Sequence, residues 1–303
     1  MNLISSGDLD RDEIKGIFSL ADRLVANKER LSLREHSTVA LLFTEPSTRT
    51  RVSFEVAVAQ LGGMPIYVDA KSSQLSRGEE LSDTARILSL YCDFIAVRTN
   101  SHDSLLKMAE SAGVPVINAL TELEHPTQAL ADTYTLYKRL GDLKGRRIAF
   151  LGDIAANTAN SLMLTCTKLG AEVSLVGPRD WKPRAQCFNK AREYGRVYVS
   201  ESMEEGLDGA DAVYTDTFVS MGEEASAERR RSALMPYQLN SAALSNAKSG
   251  ALVMHPLPAH RGEEITAEVI DGPQSVVWEQ ARNKLLIEKA VLLFLSEESE
   301  RTR

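Results

Sequence analysis

Thr38-Val39-Ala40-Leu41-Leu42-Phe43-Thr44-Glu45-Pro46-Ser47-Thr48-Arg49-Thr50-Arg51 is the stretch whose reading decides the fold. Its first six residues are β-branched or apolar and read as a buried strand, Thr38–Phe43. Pro46 and Ser47 punctuate it, and a helical pattern begins near Thr48 and runs to about Leu61. A strand passing straight into a helix is half of a βαβ unit, the building block of parallel sheets. The turn also carries chemistry. Helix N-termini offer unpaired backbone N–H groups and the positive end of a dipole. Ser47, Thr48 and Thr50 add hydroxyls there, and Arg49 adds a guanidinium that grips two oxygens at once. The plainer reading is an N-cap at Ser47 with solvated arginines. The strand-to-helix context and the density of donors favour a phosphate cradle instead.

The same alternation extends along the chain. Pro65–Val68, Phe94–Val97 and Pro115–Asn118 read as strands, with helices over about Glu79–Leu90 and Ser104–Ala112. A long amphipathic stretch, Pro126–Leu140, leads to the polar break Gly141-Asp142-Leu143-Lys144-Gly145. Then the pattern restarts. Arg147–Leu151, Glu172–Val176, Arg196–Val199, Ala212–Thr215 and Leu252–Met254 read as strands, with helices over Asn157–Leu169, Trp181–Tyr194 and about Asn283–Leu295. Two open α/β sheets are therefore expected, one domain over 1–140 and a second over 141–303.

Composition agrees with two packed domains. At 303 residues, 43% hydrophobic and 25% charged, the chain is neither disordered nor fibrous. The net charge of −7 and the lack of a polybasic run argue against nucleic-acid binding. No apolar run approaches the roughly 20 residues of a membrane span. The polar, acidic segment Met1–Asp10 does not read as a signal peptide. Cys92, Cys166 and Cys187 are odd in number and scattered, as expected of reduced thiols in a cytoplasmic protein.

Further polar clusters fall just after strands, on the carboxyl edge where open sheets bind ligands. They are Arg98, His125-Pro126-Thr127-Gln128, Asp153 to Asn157, Asp216-Thr217-Phe218-Val219-Ser220-Met221-Gly222 and His255-Pro256-Leu257-Pro258. Asp216, Ser220 and Asn157 supply the acceptor and donors that an amino acid needs. Gly152-Asp153-Ile154-Ala155-Ala156-Asn157 lacks the glycines of a dinucleotide loop, and neither a nucleotide P-loop nor a serine nucleophile elbow is present. His255 and His260 have no third ligand near in sequence, so no metal is expected.

In that order, Ser47-Thr48-Arg49-Thr50, Ser53-Phe54-Glu55, Arg98 and His125-Pro126-Thr127-Gln128 resemble the carbamoyl-phosphate site of the aspartate/ornithine carbamoyltransferase family. The resemblance covers nearly the whole chain. It implies an α/β fold of two doubly wound parallel-sheet domains joined by interdomain helices, with the C-terminal helix packing back on the first. It also implies a homotrimer, or a multiple of three, with shared active sites and no cofactor. The loop Ser72–Glu79, with Gln74, would reach in from a neighbouring subunit. Carbamoyl phosphate would lie on Ser47, Thr48, Arg49 and Thr50, with Arg98 and His125 on its carbonyl oxygen, and Gln128 and the Leu257 carbonyl on its NH₂. Pro256 and Lys284 complete that set.

Asp216-Thr217-Phe218-Val219-Ser220-Met221-Gly222 is similar to the ornithine branch, as is His260-Arg261-Gly262-Glu263-Glu264. Asp216 would then orient the amine of L-ornithine, with Asn157, Ser220 and Met221 on its α-carboxylate end. Arg98, His125 and Asp216 are the expected catalytic residues. Four departures stand out: Pro256 replaces the ornithine branch's Cys, Glu45-Pro46 leans to the aspartate branch, Lys284 replaces an Arg, and Ala156 replaces an Asn. The alternatives are an aspartate carbamoyltransferase, an enzyme for an acylated ornithine, and a non-catalytic amino-acid- or phosphate-binding protein.

Overall fold

The structure, a computed structural model, describes residues 1–26, 28, 30–219 and 224–301. Among them nine strands form two sheets in which every strand pairing is parallel. The first sheet is built from α1 (Arg11–Ala26), β1 (Thr38–Phe43), α2 (Thr48–Gln60), β2 (Met64–Asp69), α3 (Leu81–Tyr91), β3 (Phe94–Arg98), α4 (His102–Ser111), β4 (Val116–Leu120) and α5 (Pro126–Leu140). The second follows as β5 (Arg147–Leu151), α6 (Asn157–Lys168), β6 (Glu172–Val176), α7 (Ala185–Tyr194), β7 (Val197–Ser200), α8 (Met203–Leu207), β8 (Ala212–Thr215), α9 (Ala227–Leu234), α10 (Ser241–Leu244), β9 (Leu252–Met254), α11 (Ala267–Ile270) and α12 (Val277–Arg301). The chain divides into unit one, Met1–Ala131 with Lys284–Arg303, and unit two, Asp132–Asn283. The division falls within α5 and within α12.

Unit one has strand order β2-β1-β3-β4. The sheet grows outward from β1 in one direction and then from β3 in the other, so a topological switch point lies between β1 and β3. In doubly wound sheets the crevice at such a point is where ligands bind. Buried parallel strands need apolar residues on both faces. Val39–Phe43 are accordingly buried throughout, and α1 buries Ile14, Ile17, Phe18 and Ala21. One core cluster joins Ile4, Leu42, Ala85, Ile95, Leu105 and Met108. The β3–β4 register shifts between Val97 and Arg98, so the ladder is irregular at the residue that ends β3.

Unit two has order β7-β6-β5-β8-β9 and the same logic, with its switch point between β5 and β8. Its core gathers Leu151, Val176, Leu207, Val213, Val253, Ile265 and Val277. Gly152 ends β5 at φ +112°, and a Cβ there would lie 3.2 Å from the Phe218 ring. That backbone and that contact favour glycine at the turn into Asp153.

Two of the expected helices start more than two residues from their expected bounds. α7 begins at Ala185 rather than near Trp181, because Pro183 disfavours helical backbone at Lys182 and removes an N–H. α12 starts at Val277 and runs 25 residues, longer than the apolar stretch Asn283–Leu295 on which the expectation rested.

Candidate functional site

In unit one the switch point collects cations and hydroxyls. The Thr44 N–H donates to the Arg98 carbonyl at 2.9 Å, tying the end of β1 to the end of β3. Ser47 is the N-cap of α2 in extended backbone, yet its hydroxyl makes no capping bond. That hydroxyl and the first-turn amides are the groups an anion would use. Thr50 is buried one turn further in, and its Oγ1 accepts from Lys284 Nζ at 3.1 Å. The same ammonium donates to Gln128 Oε1 at 3.0 Å and lies 3.4 Å from His125 Nε2. Lys284 therefore joins α12 to α2 and to the start of α5.

Arg98 is 6% exposed, and its Nε has no hydrogen-bond partner among the described residues. Burial, and then the positive charge of Arg49, brings its pKa down to about 10, so it still carries its charge at neutral pH. His125 is held well below the ordinary histidine range by burial, then by Lys284 and Arg98. It is therefore a neutral imidazole. An ammonium can only donate, so Nε2 faces Lys284 as the acceptor and Nδ1 carries the proton. Three positive groups and a neutral N–H donor thus sit where an anion with an adjacent carbonyl would fit.

In unit two the switch point collects carboxylates. Asp216 follows β8 and is half-buried. It accepts from Thr158 Oγ1 at 2.7 Å and from the Thr217 N–H at 2.7 Å, which fixes its orientation. Asp153 follows β5, is buried, and forms an ion pair with Arg230. Burial pushes the Asp153 carboxyl up against the opposing pull of Arg230, with Asp216 nearby adding to the rise. Arg230 also donates from Nε to the Phe218 carbonyl at 2.9 Å and lies 4.5 Å over the Trp181 ring. Asp153 thus has a matched cation, whereas the carboxylate of Asp216 rests on hydroxyl and amide donors.

The loop after β9 is the third feature. Leu257 takes φ 61°, an uncommon backbone for a leucine. It is held by donating its N–H to His255 Nδ1 at 2.9 Å. With Nδ1 accepting, the His255 proton sits on Nε2, which faces Glu264 Oε1 at 3.2 Å. The His255 N–H is in turn accepted by Gln280 Oε1 at 3.0 Å, and Gln280 donates to Asp132 at 2.7 Å.

Comparison with known proteins identifies the constellation. Residues 1–138 match the carbamoyl-P binding domain of aspartate/ornithine carbamoyltransferase, and residues 144–295 match its Asp/Orn binding domain. The chain belongs to the aspartate/ornithine carbamoyltransferase family. It is 46% identical to the ornithine carbamoyltransferase of Hyperthermus butylicus, over 97% of this chain and 96% of that one. It is equally 46% identical to the anabolic ornithine carbamoyltransferase of Pyrococcus furiosus, over 86% and 84%. The solved structure of the Pyrococcus furiosus ornithine carbamoyltransferase superposes with a TM-score of 0.91 at 43% identity, covering 96% of each chain.

Within that family frame, unit one brings together Ser47, Thr48, Arg49, Thr50, Arg98, His125, Gln128 and Lys284. Gln74 lies exposed in the short 3-10 turn Gln74–Arg77 of the same unit. Unit two holds Asn157, the first residue of α6, together with Asp216, Pro256 and Leu257. Ser220 and Met221 lie outside the described residues. Sequence reasoning did not single out Arg230, Thr158 or Glu288. Arg230 sits in the run Arg229–Arg231, where sequence gives no reason to prefer one arginine. Glu288 is legible in principle, since it stands one helical turn after Lys284 on an apolar face. His260, Glu263 and Glu264 bring ligand atoms within 4.8 Å of one another. Glu263 pairs with Arg231, and Glu264 accepts from the His260 N–H, so the cluster is knit by its own contacts.

Proposed function

We propose that this chain transfers the carbamoyl group of carbamoyl phosphate to the δ-amine of L-ornithine, giving citrulline and phosphate. The observation that carries this reading is the pair of opposite switch points: cations and hydroxyls in unit one, and in unit two an oriented carboxylate that has no matched cation among the described residues. A phosphate dianion suits the first, and a cationic amine suits the second. A second carboxylate, as in aspartate, meets the wrong sign at Asp216.

Ser47, Thr48, Arg49 and Thr50 bind the phosphate, and Arg98 and the Nδ1–H of His125 donate to the carbonyl oxygen. Gln128 and the Leu257 carbonyl take the NH₂ protons, with Pro256, Lys284 and Gln74 completing the set. Asp216 orients the amine, and Asn157, Ser220 and Met221 take the other end of ornithine. The δ-amine resembles that of lysine, with a pKa of about 10, so forming the free amine at pH 7 costs about 4 kcal/mol. Its lone pair attacks the carbonyl carbon, and negative charge grows on the oxygen facing Arg98 and His125. Such preorganised donors usually provide the largest catalytic contribution. The intermediate collapses as the C–O bond to phosphate breaks with its electron pair, and the amine's surplus proton leaves with phosphate.

The assembly is a trimer or a multiple of three, with the Gln74 loop donated between subunits. A cytoplasmic place in arginine biosynthesis accords with the relative named as anabolic and with three buried cysteines that form no disulfide among the described residues. No described helix is long and apolar enough to cross a membrane. The test is phosphate release from carbamoyl phosphate with ornithine, aspartate, an N-acylated ornithine or no amine. Faster release with aspartate or the acylated amine reassigns the substrate. Binding without release makes the chain a binding protein.

A further inference from the structure

Lys284 and Glu288 are four residues apart in α12 and so share one helix face. The Lys284 ammonium is spent on Thr50, Gln128 and the His125 ring, as described above. Glu288 is 0% exposed, and neither carboxyl oxygen has a hydrogen-bond partner among the described residues. Ser53 of α2 approaches it, but the Ser53 hydroxyl donates to the Thr50 carbonyl at 3.2 Å. A buried carboxylate left without partners is costly, whereas a buried carboxylic acid is tolerable. Nothing in the reaction proposed above uses this group.

We propose that Glu288 is a positioning residue for the Lys284 ammonium, and that carbamoyl phosphate binds the form in which the Glu288 carboxyl carries a proton. When Glu288 is protonated, its carboxyl does not compete with an anion beside Thr50 for the Lys284 charge. When Glu288 is ionised, its charge competes for the same ammonium and repels the incoming dianion. The inference rests on the placement of carbamoyl phosphate in the unit-one cradle.

Among the described residues, Lys284 of α12 and the Ser53 hydroxyl of α2 act on Glu288. Lys284 and Arg98, at the end of β3, both act on His125, which precedes α5, and Arg49 and Glu45 act on Arg98. His125 stays neutral, and Arg98 keeps its charge until about pH 10, so neither titrates between pH 7 and 9. Burial, opposed by Lys284 and Ser53, pushes the Glu288 carboxyl up to about 8, inside that window.

The experiment measures KM for carbamoyl phosphate from pH 7 to 9 at saturating ornithine, in the wild type and in Glu288→Gln. The ratio of the two KM values cancels the ligand's own titration. An acid titrating near pH 8 leaves about a tenth of the sites competent at pH 9, so the wild-type to variant ratio rises about tenfold. The kcat profiles of the two proteins run parallel, which a general loss of structure would not produce. A ratio constant within threefold overturns the proposal. If Glu288→Gln does not fold, calorimetric titration of the wild type with carbamoyl phosphate alone, in two buffers of different protonation enthalpy at pH 8.5, decides. Uptake of most of one proton per site supports the proposal, and uptake of none overturns it. Arg49→Ala is assayed in parallel. If its KM for carbamoyl phosphate is unchanged, the cradle placement fails and the Glu288 proposal falls with it. If Arg49→Ala binds weakly while the Glu288 ratio stays flat, only the Glu288 proposal is lost.

Discussion

The switch point of unit one gathers Arg49, Arg98 and Lys284 around a helix N-terminus. That of unit two gathers Asp153 and Asp216, with Arg230 paired to Asp153. Both sheets are wound the same way, and both open their crevice at the carboxyl ends of the two strands where the winding reverses. Topology therefore fixes where a ligand goes, while the charge of a handful of loop residues fixes which ligand it is. Neutralisation differs too. In unit one the Lys284 ammonium donates to a hydroxyl and an amide oxygen and faces a neutral histidine, a setting that favours an anionic ligand. In unit two Asp153 is already matched, so Asp216 carries the electrostatic preference.

Breaking the unit-one side should cost most. Arg98→Ala is expected to lower kcat/KM about 10³-fold in a phosphate-release assay, the upper end of losses for one oxyanion donor. Because Arg98 is buried beside another cation, its removal should not lower the melting temperature. Activity within tenfold of wild type would remove Arg98 from the carbonyl. The contrast in sign is sharpened by comparing substrates. Ornithine should be used at least ~10³-fold more efficiently than aspartate, and Asp216→Asn should narrow that gap by losing about 10²-fold with ornithine. Equal discrimination in the variant would show that Asp216 does not set it.

The pH profile probes His125. Its pKa is depressed, so it is neutral at every pH above the ordinary histidine range and cannot produce the acid limb of activity. That limb should follow the amine, with an optimum of roughly 8–9.5. His125→Asn should lower the plateau about 10²-fold without moving the limb, and a displaced limb would give His125 a proton-transfer role. The smallest effect expected concerns stability. Glu288 holds a proton in the folded chain up to about pH 8 but loses it near its ordinary 4.5 when unfolded. Folding stability therefore falls as pH rises through that window and is constant above it. Glu288→Gln should accordingly gain several degrees over wild type between pH 5 and pH 8 in thermal melts.

Much of the scaffold is legible in the sequence because buried parallel strands are continuous apolar runs with polar ends. Thr38–Phe43, Arg147–Leu151, Glu172–Val176, Ala212–Thr215 and Leu252–Met254 match the observed strands residue for residue. β7 starts one residue later than its apolar pattern suggests, because this edge strand is half exposed and packing fixes its ends only weakly. α1 is not legible from strand–helix alternation, which begins only at β1, although Ile14, Ile17, Phe18 and Ala21 share one face. The site residues following strands are legible for the reason the crevice exists. Thr158 and Arg230 are not, because each acquires its role from a partner some 58 or 77 residues away.

Unit one is discontinuous in sequence, and its last piece is decisive. The bond from Lys284 to Thr50 spans 234 residues. On a ribosome, β1 to β4 emerge early, whereas the lysine that completes their anion cradle emerges only after all of unit two. Such non-local closure is slow and comes late in folding. The first sheet is thus not a module that could be inherited, expressed or exchanged alone with its chemistry intact, because the lysine of its cradle arrives only with the last helix.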